Sequence, residues 1–194
     1  MILRTLAAAS LLAALPALAS AQLQPPADHR PATQPRRPSA CGDPEYRQFD
    51  FWVGMWAVTP AGGDKPVAVS RIERLYGGCA IRENWMPFGQ PGGGSLSSYV
   101  KAEHAWRQTW VDGSGARAEF KGGWDGRSMV LTGPWPMADG RPRLVRMTYT
   151  PGADGSVRQA GEQSFDDGRT WRPSFDFTYR SPPRPVPPVL HERR

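Results

Sequence analysis

The side chains that could do chemistry in this 194-residue chain are few, and they are scattered. A serine nucleophile needs a positioned base, which here would have to be His104, because His29 and His191 lie in the proline-rich ends. Its acidic neighbour Glu103 is adjacent in sequence, so on a strand the two would point to opposite faces. Paired carboxylates for glycoside cleavage would fall to Glu83 and Asp112, with no spacing to support the pair. No histidine stands at metal-ligand spacing from Cys41 or Cys79, and neither cysteine has the neighbours of a redox motif. The sequence therefore points to no catalytic residue, no metal and no cofactor. What it offers instead is a handful of polar groups in aromatic surroundings: Glu83, Gln108, Gln159 and Tyr179, with Trp85 and Trp110 beside them.

The elements that carry these residues read as short strands. Candidate runs are Phe51–Thr59, Val67–Tyr76, Ala80–Met86, Leu96–Ala102, Ala105–Val111, Ala116–Gly122, Met129–Trp135, Arg143–Thr150, Val157–Phe165 and Trp171–Tyr179. Between them lie Asp112-Gly113, Asp125-Gly126, Asp139-Gly140, Asp154-Gly155 and Asp167-Gly168. Asp-Gly between alternating strands marks hairpins, because glycine accepts the positive φ that a twisted turn demands. Helical periodicity is lacking, beyond a turn around Pro44–Gln48. The expectation is an all-β antiparallel meander of about ten strands, closed into a lipocalin-like barrel in preference to a sandwich, since closure removes exposed edges.

Alternation along each strand assigns the faces. Trp106, Gln108, Trp110 and Asp112 share one face, against Arg107, Thr109 and Val111. Trp171, Phe175, Phe177 and Tyr179 share another, and Ile81, Glu83 and Trp85 point inward, as do Val157, Gln159, Gln163 and Phe165. Buried polar groups need partners, so Glu83, Gln108, Gln159 and Tyr179 bond to one another, to trapped water or to a ligand.

The ends read differently. Met1 to Arg4 and the apolar Leu6–Leu18 resemble a signal peptide, with Ala19-Ser20-Ala21 placing cleavage before Gln22. Residues 22–40 then form a disordered Pro-rich linker, 41–181 the barrel domain and 182–194 a disordered Pro-rich tail. Export to the periplasm or beyond, without a stable membrane anchor, is expected; there Cys41 and Cys79 pair by default. The net charge of +6 is misleading, because Cys41 to Ser181 holds 17 Lys+Arg against 16 Asp+Glu. A near-neutral domain gives no electrostatic footprint for nucleic acid.

Two motifs carry resemblances. Ser164-x-Asp166-x-Gly168-x-Thr170-Trp171 is similar to the Asp box of sialidases and other propellers, but it occurs once, so it implies a stabilised hairpin and no sialidase activity. Phe49-Asp50-Phe51-Trp52-Val53-Gly54-Met55-Trp56, followed by Gly78-Cys79, Trp106 to Asp112 and Asp167 to Trp171, resembles a family of exported bacterial proteins of unknown activity. That resemblance implies a calycin-like barrel. Haem-binding barrels of the nitrobindin type are a poorer match, since Val58 and Pro60 replace their later glycines and no late strand offers a histidine. Two functions fit: a module binding a small hydrophobic or aromatic ligand at Glu83, Trp85, Gln108, Trp110, Gln159 and Tyr179, or a non-enzymatic envelope interaction protein with a filled barrel. Eight tryptophans suit stacking on a flat ligand, and equally a packed core.

Overall fold

Alternating apolar and polar residues between tight turns leave each strand one course, which is to pair with its sequence neighbour. A computed structural model describes residues 40–137 and 143–182. It shows ten antiparallel strands: β1 (Gly54–Pro60), β2 (Ala68–Leu75), β3 (Ala80–Pro87), β4 (Gly93–Val100), β5 (Ala105–Asp112), β6 (Arg117–Trp124), β7 (Met129–Trp135), β8 (Arg143–Pro151), β9 (Val157–Ser164) and β10 (Arg172–Arg180). Each pairs with the next, and β1 pairs with β10 through Ala57–Arg180 to Pro60–Phe177, closing the barrel. Barrel diameter grows with strand number, and eight strands already leave room for packed side chains or one small ligand.

The outer face is charged. Glu73 bridges Arg71 and Arg82, Arg146 meets Glu162 at 2.8 Å, and Arg158 meets Asp176 at 2.5 Å. Such exposed pairs contribute little to stability individually, but they are the reverse of the apolar band that a lipid-facing barrel carries. Among the described residues no helix is long and apolar enough to cross a membrane.

One end of the barrel is closed by the segment before β1. Cys41 is bonded to Cys79 at the β2–β3 turn, and Arg47 donates to the carbonyls of Cys41 (2.6 Å) and Gly78 (3.1 Å). Phe51 and Trp52, expected in the first strand, lie instead in a short 3-10 helix, Asp50–Trp52. A three-residue repeat brings positions i and i+3 to the same side, so Phe49 and Trp52 both enter the barrel and both are fully buried. Phe49 stacks on Trp52 at 4.9 Å and meets Tyr149 edge-on at 5.0 Å, while Trp56 Nε1 donates to the Trp52 carbonyl at 2.9 Å. The F-D-F-W stretch is thus a plug followed by a strand.

The turns also depart from expectation in detail. Gly126, Gly155 and Gly168 do take positive φ, but at Asp112-Gly113 that role passes to Gly115 (φ 83°), and Asp139-Gly140 lies outside the described residues. The β4 strand begins at Gly93 and stops at Val100; Lys101–Glu103 form a 3-10 turn, with His104 beyond it at φ 48°. The expected signal peptide and Pro-rich linker (to residue 39) and the expected Pro-rich tail (from residue 183) lie outside the described residues.

The Asp-box hairpin joins β9 to β10. Ser164 Oγ accepts from the Gly168 N–H at 2.8 Å and donates to Asp166 Oδ1 at 2.8 Å. Asp166 accepts from Thr170 N–H (2.8 Å) and Oγ1 (2.6 Å), and Trp171 Nε1 donates to the Gly168 carbonyl. The hydroxyl and amide of Thr170, with the Ser164 hydroxyl, hold the Asp166 carboxyl down at about 2, from an ordinary 3.8. A depressed acid contributes stability above its unfolded pKa and loses it as pH falls through the folded one. Asp166→Asn is therefore expected to flatten the melting temperature between pH 4 and 2, where the wild type declines more steeply.

Candidate functional site

Three inward polar residues, Glu83, Gln108 and Tyr179, each stand two positions nearer the plugged end than an inward aromatic on the same strand. Glu83 precedes Trp85 on β3 and Gln108 precedes Trp110 on β5, counting from the plugged end, and on β10 Phe177 comes before Tyr179 as the chain runs towards it. Glu83, Gln108 and Tyr179 are buried, whereas Trp85, Trp110 and Phe177 are half-buried. The interior therefore has a polar floor against the plug and aromatic walls towards the other end. Between them is a cavity of about 320 Å³, within the range of small-molecule sites. All six expected residues, Glu83, Trp85, Gln108, Trp110, Gln159 and Tyr179, line it.

The floor is a set of satisfied hydrogen bonds. Ser70 Oγ donates to Glu83 Oε1 at 3.0 Å and Ser95 Oγ to Oε2 at 3.2 Å. Gln108 Nε2 donates to Ser97 Oγ at 3.0 Å. Tyr179 Oη donates to Gln159 Oε1 at 2.5 Å, and Gln159 Nε2 donates to Tyr149 Oη at 3.0 Å. Burial raises the Glu83 carboxyl to about 7, the Ser70 and Ser95 hydroxyls pulling the other way. Burial likewise pushes the Tyr149 and Tyr179 phenols well up, with the nearby Glu83 charge adding to both.

The walls depend on two glycines. A Cβ on Gly161 would lie 2.2 Å from the Phe175 ring, and one on Gly93 would lie 2.7 Å from the Trp110 ring. The missing side chains make room for both rings, which line the cavity. Gly161→Ala is expected to drive Phe175 off its seat and lower stability by about 1–3 kcal/mol, read from the urea midpoint.

Several expectations about faces fail for local reasons. Phe165 was expected inside but is 64% exposed, because β9 ends at Ser164 and alternation stops where the Asp-box turn begins. Trp171 lies outside, under the Arg146 guanidinium at 4.2 Å. A bulge between Pro173 and Phe175 inserts one residue, so parity carried back from Phe175 is off by one at Trp171. Asp112 ends β5 in the turn, where it accepts from Trp110 Nε1 (3.1 Å) and Ser114, and it does not line the cavity with Glu83. The carboxylate pair is not formed. Glu103 is engaged by Arg107 and Lys121 on the outside, and exposed His104 sits in a turn. Among the described residues no group of three or more His, Cys, Asp or Glu could hold a metal ion.

Sequence reading missed Ser70, Ser95, Ser97 and Tyr149. Ser95 faces Glu83 directly across β3–β4, and Ser97 faces Gln108 across β4–β5. Only the pairing register reveals such partners. Tyr149 was within reach, since it shares a face with Val145 and Met147 on β8.

The fold and its cavity define a closed ten-stranded antiparallel barrel with an aromatic-walled internal site. The chain matches no protein-family model, and a search of curated proteins returns no match.

Proposed function

We propose that this protein binds a small hydrophobic or aromatic molecule inside its barrel, as an exported carrier or sensor. The cavity carries this reading: rings of Trp85, Trp110, Trp135, Phe175 and Phe177 enclose space that ends on a few oriented polar groups. An apolar pocket with a small number of fixed polar atoms is the usual form of a small-molecule site. A barrel serving only as an interaction surface has no need of such a space. Export to the periplasm is supported by the signal-peptide-like start and by the Cys41–Cys79 disulfide, which suits an oxidising compartment. The likeness of Phe49 to Trp56 to the exported F-D-F-W-x-G-x-W family points the same way.

Native mass spectrometry of the protein purified from its own cell envelope tests the proposal. The expected result is a reproducible small-molecule adduct that disappears in Trp110→Ala. Repeated bare mass from gently handled samples would contradict it.

A further inference from the structure

Resting on the cavity reading, we infer that the ligand is a protonated amine on a small aromatic or alkyl body, its ammonium held between the Glu83 carboxyl and the aromatic walls. Of the twelve residues lining the cavity, Glu83 is the only carboxylate, and none is Lys, Arg or His. Glu83 is 5% exposed. Its partners are two hydroxyls, and both donate to it. Two donated hydrogen bonds suit the ionised carboxylate, yet among the described residues no cation is paired with it. A buried carboxylate in this position is costly until a positive charge arrives.

The walls supply the second half of the site. Trp85 and Trp110 stand one inward position beyond Glu83 and Gln108, and Phe177 packs on Trp85 with ring centroids 5.6 Å apart. A cation close to aromatic faces gains from the ring quadrupoles, most strongly where water is excluded. An anionic ligand would meet the Glu83 charge with no Lys, Arg or His among the twelve lining residues to offset it. A neutral ligand would use the walls but leave the carboxyl as it is.

Proton balance gives the inference a separate signature. The groups facing Glu83 are Ser70 from β2, Ser95 from β4, and the phenols of Tyr149 and Tyr179 from β8 and β10, none of them charged near neutrality. With its carboxyl titrating at about 7, Glu83 is mostly protonated at pH 6. Binding an ammonium ion there expels that proton to solvent. At pH 8 the carboxylate is already ionised, and none is released.

Isothermal titration of the full-length mature protein with 2-phenylethylamine, 2-phenylethanol and phenylacetate separates the cases. The inference predicts that the amine binds at least about ten-fold tighter than the alcohol at pH 8. It predicts that phenylacetate binds weakest. Titrations in buffers of different ionisation heat should show close to one proton released per amine at pH 6 and almost none at pH 8. Glu83→Gln should abolish the amine preference and keep alcohol binding. Alcohol or acid binding as tight as the amine, or amine binding without proton release at pH 6, overturns the amine inference and leaves the cavity reading standing. An amine preference that survives Glu83→Gln overturns the role of Glu83. If all three probes give no heat, both readings fall. Should Glu83→Gln not fold, the wild-type series and its proton count still decide the matter.

Discussion

Glu83→Gln is expected to be more stable than the ligand-free wild type by about 3 kcal/mol at pH 8, and no more stable at pH 4. The sign follows from proton binding. Burial raises the Glu83 carboxyl from 4.5 in the unfolded chain to about 7 in the barrel. Between those values the folded protein holds a proton that the unfolded chain has lost, so stability falls as pH rises. A difference of this size corresponds to about 3 kcal/mol once both states are ionised. Glutamine keeps the shape and the hydrogen-bonding capacity towards Ser70 and Ser95 but cannot ionise, so the decline disappears. Urea denaturation of both proteins from pH 4 to 8 reads this directly: the curves should converge at low pH and separate through pH 5 to 7. Parallel curves would show that Glu83 is not buried as described.

Removing the disulfide has the other large expected effect. The bond links residues 38 apart in sequence, and constraining a loop of that length in the unfolded chain is worth roughly 4 kcal/mol. The double variant Cys41→Ser with Cys79→Ser should lose a stability of that order, seen as an earlier urea midpoint. It also frees the segment that delivers Phe49 and Trp52 to the barrel end. The near-ultraviolet circular dichroism from their packing against Tyr149 should therefore weaken before the far-ultraviolet β signal does. Simultaneous loss of both signals would mean that plug and barrel form one cooperative unit.

Much of this barrel was legible because its logic is local. Asp-Gly turns and two-residue alternation located all ten strands, and the same alternation placed Glu83, Gln108, Gln159 and Tyr179 inside. The failures mark where alternation breaks. The bulge in β10 turned Trp171 outward, the end of β9 released Phe165, and the 3-10 turn at Asp50–Trp52 replaced the start of a strand with a plug. Each is a backbone event with no fixed signature in residue type. The serines on the floor were hidden for a different reason: they become partners only through cross-strand register, which joins residues distant in sequence. The cavity itself depends on Gly93 and Gly161, whose meaning appears only when the rings that cover them are in place.

The central claim, that the barrel interior is a binding site, is tested most directly by the indole N–H resonances of uniformly ¹⁵N-labelled protein during titration with an apolar aromatic probe such as 2-naphthol. Trp85, Trp110 and Trp135 line the cavity, whereas Trp171 packs against Arg146 on the outer surface. Saturable shifts at the first three with Trp171 unmoved are the predicted result. Shifts confined to Trp171, or no shifts at the solubility limit of the probe, would contradict it.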